Sequence, residues 1–461
     1  MYSERSTRRT LIKRILHTGL ASSLAPMLLT SCGSVNVVPA SSCGDKVTPM
    51  KAMSGSTALK WVSEDDTRTL YADLTSLFQS ENPSITISQQ DNQNHDALVH
   101  SLAADYVPGV SPDLFSIDVI WVPEIASKGY ALPLCDYWSA KDRTQYFPLP
   151  MNAVTIDNKI YAAPFRTDLG LLYYRTDITS QPPKTWVEME NIAAQAQATN
   201  RTPYGYVWQG EYGEGLVCDF LEVLYSYGGT FDLHDLKTIN SPEAIFALNK
   251  MIKWVNTVSL EVTSTNIRLP AVTIVDEDGS GDIWRLGYAA FMRNWPYEYV
   301  TSNKRGTGVA GRFSVAALPY NENEKDPKKR VGRSCLGGWC LAINAKAPSN
   351  QRDAAWEFIY WMMQAEAQQT AAKNNGWLMT LQSIYDEDNH KDLVDAYAYF
   401  GQNIIPNILQ DAIQRPSSPH YTEVSTKIIQ KYLHQALTGE LKAAELALQK
   451  MQDELQHFPN L

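Results

Sequence analysis

From Thr57 to the C-terminus, apolar residues recur at two alternating spacings, and the alternation predicts an architecture. Residues 58–62 read as a strand, and apolar positions three and four apart across 69–81 read as a helix. Asn82, Pro83 and Ser84 supply a turn. A second strand over 85–89, a helix near 96–104 and a buried strand over 114–120 follow. Strands alternating with helices build βαβ units around a mainly parallel sheet, so the predicted fold class is α/β.

Around 161–174 the pattern changes to two extended runs joined by the polar residues Arg166, Thr167 and Asp168. Mostly helical spacing follows, at 186–198, 211–227 and 242–257. A short strand near 313–318 precedes a charged loop at 321–330, then a strand over 339–344 and an amphipathic helix over 350–364. The remainder reads as helical, ending with 441–458, and no fixed-period repeat is visible. Strand-rich sequence thus occurs twice, with helical sequence between, which implies one lobe built from two distant segments. The predicted division is 57–164 with 313–366 in lobe 1, and 165–312 with 367–461 in lobe 2. Such a chain crosses between lobes more than once; the crossings form a hinge, and hinged lobes close around ligands.

Ahead of this body, Arg8, Arg9 and Lys13 precede a mildly apolar stretch over 15–29, which runs into Leu29, Thr30, Ser31 and Cys32. His17, Ser22, Ser23 and Pro26 interrupt it, and it falls short of the roughly 20 apolar residues a spanning helix needs. The segment resembles a bacterial lipoprotein signal cut before Cys32, and the arginine pair resembles the twin-arginine export motif. On this reading 1–31 is removed and 32–56, rich in Ser, Val, Pro and Gly, is a lipidated cysteine followed by a flexible tether. The protein is then exported and lipid-anchored at the membrane, facing the periplasm or the cell exterior.

Composition narrows the function. With 20% charged and 44% hydrophobic residues, the 461-residue chain is an ordinary globular body with room for two or three domains. A net charge of -10 argues against a nucleic-acid partner. Of the six cysteines, Cys43 falls in the tether, Cys135 and Cys218 are isolated, and Cys335 and Cys340 are near enough to bridge if a turn intervenes. Gly306, Gly308 and Gly311 have dinucleotide-fingerprint spacing, but they neither follow a strand nor open a helix, so a turn is the reading. Asp276–Asp282 imitates the start of a calcium loop, yet Gly287 stands where the bidentate Glu belongs, and helix capping by Ser280 or Asp282 is the simpler account. No nucleophile elbow, zinc-protease or phosphate-loop motif occurs, and no metal or cofactor is expected. Trp208, Trp295 and Trp339 each lie beside turn-forming residues, which suits stacking on the apolar face of a sugar ring.

Six segments in one order carry a family resemblance: 111–124, 166–175, 205–210, 290–297, 336–339 and 415–421. Together they resemble the extracellular solute-binding proteins of ABC sugar importers, and most of all the trehalose/maltose-binding branch. The resemblance runs from about Thr57 to the C-terminus. It implies a two-lobed, periplasmic-binding-protein-like fold (type II) with hinge crossovers and a sugar held between the lobes. By resemblance, Asp118 and Asp168 accept hydrogen bonds from sugar hydroxyls, Arg415 donates to them, Trp295 and Trp339 wall the rings, and the Gly338 backbone approaches closely. Trp208 and Glu214 carry over from a motif only partly kept, with Gly213 where the family has Tyr and Tyr212 one place earlier. Arg166 replaces an aromatic of trehalose binders and remodels one subsite. The loop at Glu64, Asp65 and Asp66 matches too poorly to carry any residue over.

The resulting expectation is a monomeric, membrane-tethered receptor that performs no chemistry. It captures a small neutral saccharide, such as trehalose, maltose, sucrose or glucosylglycerol, and delivers it to ABC permease subunits. The rival classes are a surface glycoside hydrolase using a carboxylate pair such as Asp118 and Asp168, and a sugar-sensing adaptor without transport.

Overall fold

The computed structural model describes residues 43, 47, 55–64, 70–91, 94–259, 271–386, 393, 404–459 and 461. The export signal, Cys32, most of the tether, Asp65 and Asp66 lie outside the described residues. Within them, the predicted βαβ start is present. Strand β1 (Thr57–Ser63) leads through the helix Leu70–Glu81 to β2 (Ile85–Asp91), which pairs parallel to it. The helix buries Leu70, Leu74 and Phe78, one residue per turn, and Phe78 meets Phe358 edge-on at 5.0 Å. Asn94 caps the helix His95–Ala103 by accepting from the Ala97 N–H, and β3 (Leu114–Asp118) then returns parallel to β1. A small hairpin of β4 (Thr155–Ile156) and β5 (Lys159–Ile160) precedes β6 (Ala163–Leu169) and β7 (Leu171–Arg175). Next come β8 (Tyr204–Val207), β9 (Ala289–Asn294), β10 (Phe313–Ala316), β11 (Leu336–Ile343) and β12 (Leu378–Met379).

These strands form two large sheets. The first has six strands in the order β12-β6-β11-β3-β1-β2, with β11 antiparallel to both of its neighbours. The second has four, in the order β10-β7-β9-β8. Three segments pass between the two halves built on these sheets. Gly170 alone separates β6 from β7, residues 317–335 lead from β10 to β11, and the stretch around Ile413 runs beside the second crossing. There Ile413 N–H donates to Ser334 O at 2.9 Å and Leu336 N–H to Ile413 O at 2.8 Å.

Several expectations need correction. Arg166, Thr167 and Asp168 do not join two strands; they lie inside β6, which is buried along its whole length. The change of sheet therefore comes at Gly170 rather than at 164/165. Phe313–Ala316 belongs with the second sheet, because it pairs antiparallel with β7 and Phe313 packs on Trp284 and Tyr299. Leu378–Met379 pairs with β6 and so belongs with the first. Strands β8 and β9 stand in sequence read as helical: they are short and buried on both faces, so they lack the period-2 alternation that marks a half-exposed strand. The acidic segment is a helix, Glu277–Arg285, capped by Asp276 rather than by Ser280 or Asp282. Gly306–Gly311 is a turn, as its context suggested, with positive φ at Gly306 and Gly311.

Cysteine pairing also differs. Cys43 bridges Cys135 across 92 residues, with Cα atoms 4.9 Å apart, so the tether is fastened to the body. Cys335 and Cys340 are both free and buried. No turn intervenes between them, since β11 runs extended through Gly337 and Gly338, and five residues of strand separate their Cα atoms by about 16 Å. Closing a loop this long constrains the unfolded chain strongly. Cys135→Ser should lower the unfolding free energy by about 2–4 kcal/mol, read by denaturant titration without reductant.

Candidate functional site

The register of three adjacent strands of the first sheet brings the site together. Trp339 on β11 stands opposite Asp118 on β3 and opposite Arg166 on β6, while Gly337 stands opposite Asp168. A carboxylate, an indole and a guanidinium are therefore laid side by side, each about 4.8 Å from the next across the sheet. Gly338 is required between them: its φ is +139°, and a Cβ there would lie 2.4 Å from Arg166 O. From the second sheet, β9 ends at Asn294 and delivers Trp295 to the opposite wall, where its ring edge comes within 3.5 Å of the Cβ position of Gly337. The result is a cavity of about 290 Å³.

Eight of the nine predicted ligand-binding residues line this cavity: Asp118, Arg166, Asp168, Glu214, Trp295, Gly338, Trp339 and Arg415. Trp208 does not. Its indole is buried in the core, donating to Ser259 Oγ at 3.0 Å and packing against Trp254 at 6.5 Å. An aromatic beside a turn residue reads the same whether it faces a ligand or a core, and here it faces the core. Among residues not anticipated, Glu277, Tyr297 and Trp377 also line the cavity. Trp377 follows Gly376 just as Trp339 follows Gly338, so the indole-beside-glycine pattern applied to it too. Glu277 lay inside the acidic stretch weighed as a calcium loop; it accepts the Trp295 Nε1–H at 3.2 Å. Among the described residues, no cluster of three or more His, Cys, Asp or Glu side chains could hold a metal ion.

Two arginines organise the polar groups. Arg415, almost wholly buried, donates through Nη2 to Asp118 Oδ1 at 3.0 Å and through Nη1 to Glu214 Oε1 at 3.4 Å. Burial alone would lower its pKa, but Asp118 and its other anionic neighbours hold it well above the ordinary value. Glu214 is fixed further by Tyr421 Oη at 2.7 Å, Ser425 Oγ at 2.6 Å and Gln430 Nε2 at 3.1 Å. Ser425 opens a π-helical segment, Ser425–Ile429, a local widening often found at functional sites. Arg166 donates through Nη1 to Asp168 Oδ2 at 2.8 Å, lies 3.6 Å from Glu64 Oε1 and stacks 4.4 Å from the centroid of Trp377. Glu64, from the loop that matched poorly, is thus buried close to Arg166 and also accepts from Tyr71 Oη. Such a site offers flat apolar faces, fixed acceptors and a few fixed donors. That combination suits a polyhydroxylated ring.

A model of the bacterial extracellular solute-binding proteins matches residues 76–398, well over half the chain. The chain belongs to this family. A probable ABC transporter-binding protein of Deinococcus radiodurans is 33% identical over 327 residues, 68% of this chain and 72% of that protein. A maltotriose-binding protein of Pyrococcus abyssi is 25% identical over 326 residues, 70% of this chain and 65% of that one. Among solved structures, maltose-bound MalE3 of T. maritima superposes with a TM-score of 0.74 at 30% identity, covering 87% of this chain and 99% of its own. The solute-binding protein described here accordingly has the two-lobed α/β fold of periplasmic sugar-binding proteins.

Behind the cleft floor, an aromatic stack leads from Trp339 to Trp121 at 5.5 Å and on to His95 at 5.0 Å, and His95 Nε2 pairs with Glu124 Oε2 at 2.9 Å. Burial would lower the His95 pKa, but hydrogen bonds and charge from Glu124 and Asp96 raise it above the ordinary value. Burial would likewise raise Glu124, yet His95 and Lys128 bring it down to about 2. The stabilisation from protonated His95 is complete below its unfolded pKa of about 6.5 and fades as pH rises through the raised folded value. That from Glu124 is complete above about pH 4.5 and is lost as pH falls toward 2. His95→Gln should therefore lower the melting temperature most between about pH 5 and 6.5, and the gap should narrow as pH rises above that range in a thermal melt series.

Proposed function

We propose that this protein is the membrane-tethered receptor of an ABC importer and captures a small neutral saccharide between its lobes. The observation carrying this reading is the convergence of Trp295, Trp339, Asp118, Asp168 and Arg415, contributed by both sheets and a crossing segment, on one cavity. The charge balance favours a neutral ligand over an anionic one. Four lining carboxylates face two arginines, and each arginine is already paired. Sugar hydroxyls can donate to those carboxylates without bringing a charge that must be neutralised. The relatives that bind maltose and maltotriose support an α-linked glucose oligomer of this size class.

The lobes, divided at Gly170 and at the crossings near 335 and 413, would close because ligand contacts to both are complete only in the closed form. The closed form then docks on the permease, while Cys32 supplies the lipid anchor of a monomeric, exported receptor. A thermal-shift screen of mono- and disaccharides tests the reading, since a ligand binding only the folded state raises the melting point. Maltose, trehalose or a near relative should raise it; no shift with any saccharide would remove the proposal. Trp295→Ala should then weaken binding by about 2–4 kcal/mol in calorimetry, as for a large aromatic anchor. Arg166→Tyr should reorder preference among saccharides, and an unchanged order would place Arg166 outside the recognised subsite.

A further inference from the structure

Arg293 lies in β9, two residues before Trp295, and is fully buried. A guanidinium in such a place is costly unless its N–H groups are met. Nε and Nη2 donate to the two oxygens of Glu222 at 2.9 and 2.7 Å, Nε also lies 2.9 Å from Asp219 Oδ1, and Nη1 donates to Gln209 Oε1 at 2.9 Å. With its edges held in this way, the flat face remains, and Trp295 takes it: Arg293 Cζ lies 3.9 Å from the indole centroid. The rim of the same indole is held by Glu277. One face of Trp295 is thereby fixed and the other is left for a ligand.

Glu222 has a second attachment. Its Oε1 accepts the Cys335 N–H at 2.9 Å, in the second crossing segment. It also lies where the first crossing passes: a Cβ on Gly170 would fall 2.0 Å from that oxygen, so only glycine lets the strand close on it. The group that orients the indole is therefore bonded to the hinge.

We propose that Arg293 is a positioning residue for the binding site. It sets the plane of Trp295 and, through Glu222, keeps that plane in register with two of the three hinge segments. An indole held in this way keeps one orientation while the lobes move, which spares the ordering cost of fixing it at each closure. Lysine cannot substitute, because a point charge provides neither the fork to Glu222 nor the flat stacking face. The proposal rests on the saccharide-cleft reading and goes beyond it.

A double-mutant cycle in the full chain tests it, using calorimetry with whichever saccharide gives the largest thermal shift. Arg293→Lys should weaken binding about tenfold or more when Trp295 is present. In a Trp295→Ala background it should change binding by less than about twofold, because nothing remains to be positioned. A purely structural role weakens both backgrounds by the same factor, and that result overturns the proposal while leaving the cleft reading intact. If Arg293→Lys lacks a cooperative melt, Asp219→Asn, which loosens the same clamp and leaves the Glu222 fork, enters the cycle under the same criteria. A native chain that binds no saccharide overturns both readings.

Discussion

The antiparallel insertion of β11 between β3 and β6 is the constraint on which the rest of the structure depends. The strands on one side of it are parallel, built by local βαβ crossovers. Strand β11 arrives instead from the second sheet, after more than 150 residues, and pairs on both edges. Its register places an indole between a carboxylate and a guanidinium, and Gly338 lets β6 approach where any side chain would collide. A slip of one residue would turn Trp339 to the opposite face of the sheet and remove the cleft floor. The site is thus a property of strand pairing before it is a property of any side chain.

The cleft is electrostatically self-contained. Arg415 is shared between Asp118 and Glu214, and Arg166 between Asp168 and Glu64, so each buried cation is balanced by more than one anion. Removing either arginine would leave two carboxylates facing each other at low dielectric, which is why these groups set the shape of the site as well as its chemistry.

Legibility in the sequence followed the physics of each element. The βαβ start was readable because half-buried strands and amphipathic helices leave distinct periods, and the helix Trp186–Ala198 was bounded correctly by its pattern. Strands β8 and β9 were not, since each is a short run buried on both faces with no period of its own, set among sequence of mostly helical spacing. Most of the cleft was legible through ordered motifs, but Glu277 was hidden in a stretch whose acidity suggested a cation. Trp208 misled because its neighbourhood of turn residues resembles that of Trp295, although one indole ends in the core and the other in the cleft. The partner of Cys43 could not be found by spacing, because only the fold brings Cys135 to it.

That disulfide governs reach. With anchoring at Cys32 as proposed, a chain free until Thr57 could span at most about 90 Å when extended, whereas fastening at Cys43 limits the span to about 40 Å. On that proposal the receptor would be confined to a shell about 40 Å deep, held through Cys135. Under the proposed function, search for a permease would then be largely a matter of orientation within a thin layer rather than of diffusion through a volume.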